Sequence, residues 1–298
     1  MNIRSFFFGN YFYGICAVAL AIEAALQQGI PLNPVYSYIA IFCATVWFYT
    51  IAYISDTKVL TGNQRTAWYN TNARLVRNSQ ILLIGIFFLA AAFLLADIWK
   101  KIPSINLSQW GLLLIFPIVG AMYYGINYNS VQYVNLRKIG WLKPFVIGFT
   151  WAGIVNVYPT VFYSITHEAA VPVHLMNFLL FFKNFMFITV LCIMFDIKDY
   201  ASDSNHQLKT FVVKNGLRKT IFYILLPLSI AGLGSFLLWG FLHHFSGMKM
   251  LLNTIPFLCM IAVAYSMHKR KSILYYLILI DGLMLLKAIC GSVAMLYF

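Results

Sequence analysis

The chain has 298 residues, of which 61% are hydrophobic and 10% are charged, and its mean hydropathy is +0.79. A composition this apolar excludes an ordinary soluble domain and indicates a polytopic membrane protein. The formal net charge of +13 does not favour nucleic-acid binding, because the basic residues lie between apolar runs and form no continuous face.

Nine apolar runs follow one another along the chain, and each approaches the roughly 20 residues that a helix needs to span a bilayer. The predicted spans are residues 11–30, 36–54, 81–98, 110–126, 144–163, 175–195, 221–242, 250–267 and 273–297. We therefore predict an all-α fold in which residues 1–298 form a single transmembrane domain, a bundle of nine helices.

Polar residues within the predicted spans are expected to face the interior of the bundle, where interhelical hydrogen bonding is their simplest role. They are Glu23, Asn156, Asn177, Lys183, Asn184, Asn253, Asp281 and Lys287. The 5 cysteines also lie in apolar runs and form no CxxC pair, which favours packing as small hydrophobic residues over a disulfide or zinc site.

Basic residues concentrate in alternate loops between the predicted spans. The loops of one side carry Arg4, Lys58, Arg65, Arg74, Arg77, Arg137, Lys138, Lys143, Lys198, Lys209, Lys214, Arg218, Lys219, Lys269, Arg270 and Lys271, and those of the other side carry Lys100, Lys101 and Lys249. By the positive-inside rule the first side is cytoplasmic. We expect a multi-pass protein of an inner or plasma membrane, with its N-terminus inside and its C-terminus outside. Two long cytoplasmic loops, residues 55–80 and 196–219, are then expected to form the mouth of an active site.

Three of the 8 acidic residues of the chain, Asp196, Asp199 and Asp203, follow the sixth apolar run. On a continuing helix they fall at i, i+3 and i+7 and share one face. Carboxylates so close repel one another unless a cation lies among them, and their hard oxygens suit Mg²⁺, which takes further ligands from substrate phosphates. The alternative is a solvated loop, but ionisable groups at the mouth of a membrane helix favour function.

The run from Asp196 to Asp203, followed by Lys209, Thr210 and Gly216, resembles the second aspartate-rich motif of the UbiA family of intramembrane prenyltransferases. In that family the motif binds Mg²⁺ and the diphosphate of an isoprenoid donor. The resemblance also implies nine helices, with the active-site mouth under the second and sixth interhelical loops.

The family's first motif, NDxxDxxxD at the end of the second helix, is degenerate in this chain. Residues 48–56 read FYTIAYISD, so that Asp56 alone remains. Since each motif helps to hold its own Mg²⁺ in the family, the resemblance implies one intact metal site and one stripped site. Asp56 is either a remaining ligand or a loop carboxylate beside Lys58.

Basic segments after the second and fourth predicted helices also resemble the family. The segment Gln64-Arg65-Thr66-Ala67 makes Arg65 a candidate diphosphate ligand, and residues 133–138 make Arg137 and Lys138 candidates as well. Anchoring at anionic headgroups is the simpler alternative for the second segment. Aromatic rings near the mouth, such as Tyr53, could stabilise a carbocation through their π faces.

The main hypothesis is a Mg²⁺-dependent prenyltransferase that joins an isoprenyl diphosphate to a lipophilic, aromatic acceptor resembling a quinone precursor. Asp196, Asp199 and Asp203 are the predicted catalytic and metal-binding residues. The predicted substrate-binding residues are Arg65, Arg137, Lys138, Lys209, Asp56 and Tyr53. Two alternatives stay open: a non-catalytic relative that binds a prenyl lipid or a partner, and a transporter that uses the charges within the spans.

Overall fold

The structure is a computed structural model that describes residues 3–55, 64–124, 127–128, 131–132, 136, 139–168, 175–205, 210–267 and 275–298. Its α-helices, in chain order, are α1 (Ile3–Phe8), α2 (Tyr11–Gln27), α3 (Val35–Ser55), α4 (Gln64–Thr71), α5 (Ala73–Ile98), α6 (Leu107–Tyr124), α7 (Lys143–Ala152), α8 (Tyr158–Thr166), α9 (Leu175–Asn205), α10 (Phe211–Asn215), α11 (Leu217–Lys219), α12 (Leu226–Leu242), α13 (Gly247–Ser266) and α14 (Asp281–Tyr297). A 3₁₀ helix, Trp99–Ser104, follows α5. Two strands of two residues each, β1 (Asn127–Tyr128) and β2 (Val131–Gln132), pair antiparallel.

Six continuous helical segments are long and apolar enough to cross a membrane. They are Ala73–Ser104, Lys143–Thr166, Asn177–Ile197, Leu217–Leu242, Gly247–Ser266 and Tyr276–Tyr297. Three shorter apolar helices, Tyr11–Gln27, Val35–Ile51 and Leu107–Tyr123, coincide with the first, second and fourth predicted spans. The predominantly helical, membrane-type fold is confirmed, whereas the number of nine spans stays a prediction.

The two predicted mouth loops contain more helix than expected. Within residues 55–80 the structure places α4 and the first two turns of α5, which begins at Ala73 and not at Ile81. Within residues 196–219, α9 continues for ten residues beyond Phe195, and α10 and α11 follow. The first turns of α5 and the last turns of α9 are polar, so they lack the apolar pattern of a span. The predicted spans therefore covered only the apolar parts of these two helices.

Prolines and π-helical turns mark the irregular positions of the bundle. Two π-helical segments, Gly153–Val157 and Thr220–Leu225, directly precede the helices in which Pro159 and Pro227 occupy the first turn. A proline lacks the N–H that would continue the hydrogen-bond ladder, and the π turn absorbs the resulting mismatch. A third π-helical segment, Tyr276–Ile280, ends at Asp281.

The helix α9 lies at the centre of the bundle and α5 lies at its edge. In their most apolar stretches, 61% of the residues of α9 are buried, against 11% of those of α5. α9 packs against α7 and α12, while α14 packs against α2 and α13. The core between these helices includes Leu20, Phe187, Phe257 and Ile280. Since α5 packs mainly against α3, most of its surface is left for lipid.

A buried ionic cluster joins α2, α9, α13 and α14. Glu23 accepts hydrogen bonds from Lys183 at 3.3 Å and from Lys287 at 2.5 Å. The Gln27 amide donates to Glu23 and to Asn253, both at 2.8 Å, and its oxygen accepts from Lys183 at 2.5 Å. All five side chains are buried. This confirms the predicted interior position of Glu23, Lys183, Asn253 and Lys287, whereas Gln27 was not among the predicted residues.

Candidate active site

The end of α9 carries the three predicted metal ligands on one continuous helix, as the spacing of Asp196, Asp199 and Asp203 required. Asp196 is 3% exposed, although it lies at the end of the apolar stretch. Its Oδ1 accepts a hydrogen bond from Lys143 Nζ at 2.9 Å, which forms an ion pair across α9 and α7. The side chains of Asp199 and Asp203 lie outside the described part of the structure.

Arg65 is held in a cage at the start of α4. Its side chain is buried, and its guanidinium donates to the carbonyl oxygen of Phe8 at 3.1 Å and to Asn10 Oδ1. The guanidinium carbon lies 4.3 Å from the centroid of the Tyr53 ring, a cation–π contact. Arg65 and Tyr53, both predicted as substrate-binding residues, are therefore brought together by the structure.

Asn10 organises this cage, and sequence reasoning missed it. It is fully buried, and its amide donates to Thr50 Oγ1 at 3.0 Å and to the Tyr69 hydroxyl at 3.1 Å. Together with the bond from Arg65, these contacts tie the α1–α2 junction to α3 and α4. The sequence did not indicate that Asn10 would have this role. Its three partners, Thr50, Arg65 and Tyr69, are all distant from it in sequence.

Tyr69 closes the cage on the side of α4. Its ring stacks on Tyr53 with 4.9 Å between centroids, and its hydroxyl donates to the Phe8 carbonyl oxygen at 2.8 Å. Burial raises the pKa of Tyr69 to about 12, although nearby Arg65 opposes the shift. Tyr69 is consequently a neutral hydrogen-bond donor over the whole physiological range of pH.

One aromatic side chain, Tyr49, stands where a complete first motif has its paired aspartate, whereas Ala52 stands at the next acidic position. Tyr49 stacks on Tyr13 of α2 with 4.6 Å between centroids, and its hydroxyl accepts a hydrogen bond from Trp151 Nε1 at 2.7 Å. One turn further, Tyr53 covers Arg65. The π faces on this side of the site thus come from α3, and the fixed guanidinium comes from α4.

Asp281 is a further acidic residue near both halves of the site. It is 1% exposed, and its backbone carbonyl accepts a bond from Cys16 Sγ at 3.7 Å. It lies within electrostatic range of Arg65 and also of Cys192, one helical turn before Asp196. From the sequence, Asp281 was predicted only as a charged residue within a span. The sequence did not indicate that Asp281, at the start of α14, lies near the candidate active site.

The electrostatics of the site keep Arg65 charged. Burial alone would lower the pKa of Arg65, but the influence of the neighbouring tyrosines and of Asp281 outweighs burial and raises it. A guanidinium that is permanently charged and held on several sides is suited to bind a phosphate or to stabilise a leaving diphosphate.

Four predicted site residues, Asp56, Arg137, Lys138 and Lys209, lie outside the described residues, so their placement stays a prediction. Among the described side chains, no group of three or more His, Cys, Asp or Glu residues is placed to hold a metal ion. Asp196 is the described member of the predicted aspartate trio, and carboxylates at this spacing on one helix are the hard oxygen donors that Mg²⁺ prefers.

A family model describes the chain from residue 12 to residue 274, and its description is the UbiA prenyltransferase family. The chain belongs to the UbiA prenyltransferase family. Membership and the apolar helices together make it an integral membrane protein of a family whose members are prenyltransferases in general. No curated protein and no solved structure matches the chain.

Proposed function

We propose that this UbiA-family protein transfers a prenyl group from an isoprenyl diphosphate to a lipophilic aromatic acceptor, in a reaction that requires Mg²⁺. The observation that carries the proposal is the end of α9, where Asp196 is buried on the same helix as Asp199 and Asp203, together with the buried Arg65 under the Tyr53 ring. A site with acids, cations and π faces at one end of an apolar bundle suits a ligand with a charged head and an apolar tail.

Asp196, Asp199 and Asp203 would hold Mg²⁺, which supplies positive charge to the oxygens of the diphosphate when it is bound. Arg65 supplies a second, permanent positive charge, and Lys143 can turn from Asp196 towards a phosphate because it is the more exposed partner of the pair. Arg137, Lys138 and Lys209 are proposed to complete the diphosphate site, with Asp56 at its edge.

Bond breaking at the allylic carbon follows from this charge distribution. The C–O bond ionises, and the diphosphate leaves with the electron pair, stabilised by the cations. The resulting allylic cation is shielded by ring faces such as those of Tyr49, Tyr53 and Trp151, which stabilise positive charge. An electron-rich aromatic acceptor then attacks the cation, and the proton that it loses passes to a base or to water.

The proposal is tested with purified protein, labelled farnesyl or geranylgeranyl diphosphate, Mg²⁺ and a panel of quinone precursors. We expect transfer to at least one acceptor, and a loss of about 100-fold or more in Asp196→Asn and Asp199→Asn, since each removes a ligand of the charged head. Asp97→Asn is the matched control. Asp97 is an exposed acid near the C-terminal end of α5, whereas the N-terminal end of α5 adjoins the Arg65 cage. Absence of transfer to every acceptor, combined with no Mg²⁺-dependent binding of the diphosphate, would contradict the proposal.

A non-catalytic relative that binds a prenyl lipid is the second candidate. The ion pair between Asp196 and Lys143 favours it, because the ammonium already balances one of the charges that would attract a metal. Asp199→Asn separates the two candidates: a binding protein keeps its cellular role after this substitution, whereas an enzyme loses it. Of the four charges within the spans that motivate the transporter hypothesis, three form one cluster, in which Lys183 and Lys287 each bind Glu23.

A further inference from the structure

Two adjoining clefts lie on the outside of the Arg65 cage, between α1, α4 and the start of α5. The first has a volume of about 380 Å³ and is lined by Arg4, Phe8 and Trp68, among others. The second, of about 510 Å³, is lined by Arg74, Leu75 and Asn78. Because Thr71 and Asn72 line both clefts, the two form one groove, which we call the α4–α5 groove.

The α4–α5 groove is strongly cationic. It takes its lining from residues 4–8 and 67–78, and the surrounding sequence segments 1–22 and 57–96 contain no aspartate or glutamate. Arg4 and Arg74 are exposed, and neither belongs to the candidate active site. A ligand of this groove is therefore expected to carry negative charge that is not balanced by an ammonium of its own.

The surface below the groove is apolar and faces away from the bundle. Leu75, Leu82 and Leu89 recur every seven residues on one face of α5 and are 52%, 64% and 61% exposed. Gly85, between them on the helix, has open space where a side chain would stand. This stripe runs down the helix that is least buried among the candidate spans, so it lies against acyl chains in a bilayer.

Trp68 marks the level at which the charged and apolar parts of this surface meet. Its ring lies edge-on to Phe8, with 5.9 Å between centroids, and it lines the first cleft. Tryptophan is enriched at the boundary between headgroups and hydrocarbon. The groove thus has arginines at the headgroup level and a leucine stripe that leads into the membrane.

We propose that the α4–α5 groove binds the phosphate headgroup of an anionic phospholipid, with Arg4 and Arg74 on the phosphate and the acyl chains along Leu75, Leu82 and Leu89. A soluble phosphate ester would satisfy the arginines but would leave the leucine stripe without a role. A zwitterionic lipid would place its own ammonium in a groove that already carries excess positive charge. The proposed lipid site is independent of the proposed prenyl transfer.

The test is native mass spectrometry of the purified full-length protein, titrated with phosphatidylglycerol or phosphatidylcholine in detergent. We expect phosphatidylglycerol to bind in preference, and its apparent affinity to fall about fivefold for each arginine removed in Arg4→Gln, Arg74→Gln and the double variant. Lys100→Gln combined with Lys101→Gln removes the same charge at the opposite end of α5 and should leave binding unchanged. Because Arg4 and Arg74 are exposed, the variants should keep the thermal stability of the parent protein.

Glycerol phosphate, which has the head but no acyl chains, serves as a soluble competitor in the same titration. We expect it not to displace phosphatidylglycerol at equal concentration. Equal binding of the two lipids, unchanged affinity in the double arginine variant, or displacement by glycerol phosphate would overturn the proposal, the last by assigning the groove to a soluble phosphate.

Discussion

Asn10 adopts a left-handed backbone conformation with φ of +65°, in which asparagine is better tolerated than most other residues. Its side chain is also the hub of the cage around Arg65. The residue thus combines a turn that ends α1 with the hydrogen bonds that fix the candidate diphosphate ligand.

Substitutions of Asn10 separate these two roles. Asn10→Gly keeps the backbone conformation and removes the hydrogen bonds, and we expect it to lower the free energy of unfolding by about 1–3 kcal/mol. Asn10→Ala adds the left-handed strain of about 1–2 kcal/mol. Gly29→Ala is the control for strain alone, because Gly29 has φ of +66° and open space around it. Denaturant unfolding in detergent measures all three, and equal stabilities of Asn10→Gly and the parent protein would contradict the proposed hub.

Tyr69 predicts a dependence of stability on alkaline pH. Its pKa of about 12 in the folded protein lies above the ordinary value of 10.0, so the unfolded chain loses the phenolic proton first. The stabilisation is complete below pH 10 and is lost as the pH rises towards 12, by up to about 2–3 kcal/mol.

Tyr69→Phe removes the titrating group and isolates its contribution. We expect the variant to be less stable than the parent protein at pH 8, because a buried hydrogen bond to Phe8 is lost, but to show a shallower decline between pH 10 and 12. The measurement is the free energy of unfolding as a function of pH. Parallel curves for the two proteins would show that Tyr69 titrates normally.

At the scale of helices, the cluster of Glu23, Lys183 and Lys287 fixes how α2, α9 and α14 fit together. Two lysines share one carboxylate in a site where every member is at most 3% exposed. Removing the carboxylate leaves two buried cations that repel each other, whereas removing one cation leaves a matched pair.

We expect Glu23→Gln to lower the free energy of unfolding by about 3–5 kcal/mol, and Lys287→Met to lower it by clearly less. The triple variant Glu23→Gln, Lys183→Met, Lys287→Met should recover most of the loss, since apolar side chains of similar length replace the charges. Lys101→Met is the control: it removes a surface pair with Glu168 that is 3.7 Å long and a hydrogen bond to the carbonyl oxygen of Thr166, so a loss of only about 1–2 kcal/mol is expected. A larger loss in Lys287→Met than in Glu23→Gln would contradict this charge balance.

The helices themselves were readable from the sequence because apolar runs of span length have few other outcomes. Their ends were not, since α9 extends to Asn205 through a polar segment that looks like a loop. The site shows the same division. Arg65 and Asp196 followed from motifs, but the pairing of Asp196 with Lys143 and the cage of Asn10 depend on contacts between residues 40 to 59 positions apart. No local pattern records such contacts.

At the scale of the whole molecule, the charge asymmetry of the loops predicts which end of each helix faces the cytoplasm. Thr71 and Ser104 flank α5 at its two ends, and both are exposed. We expect Ser104→Cys to react with a membrane-impermeant maleimide in intact cells, and Thr71→Cys to react only after the membrane is opened. The parent protein is the control for labelling of its own cysteines. Reaction of both variants from the same side would contradict the predicted orientation.

The two lysines that bind Glu23 lie 160 and 264 positions after it in the chain. During synthesis α2 therefore enters the membrane with a carboxylate whose first partner, Lys183 of α9, has not yet been made. Until α9 follows, the early helices carry an unpaired acid that quality-control proteases can detect. A chain that stops before α9 is consequently expected to be degraded.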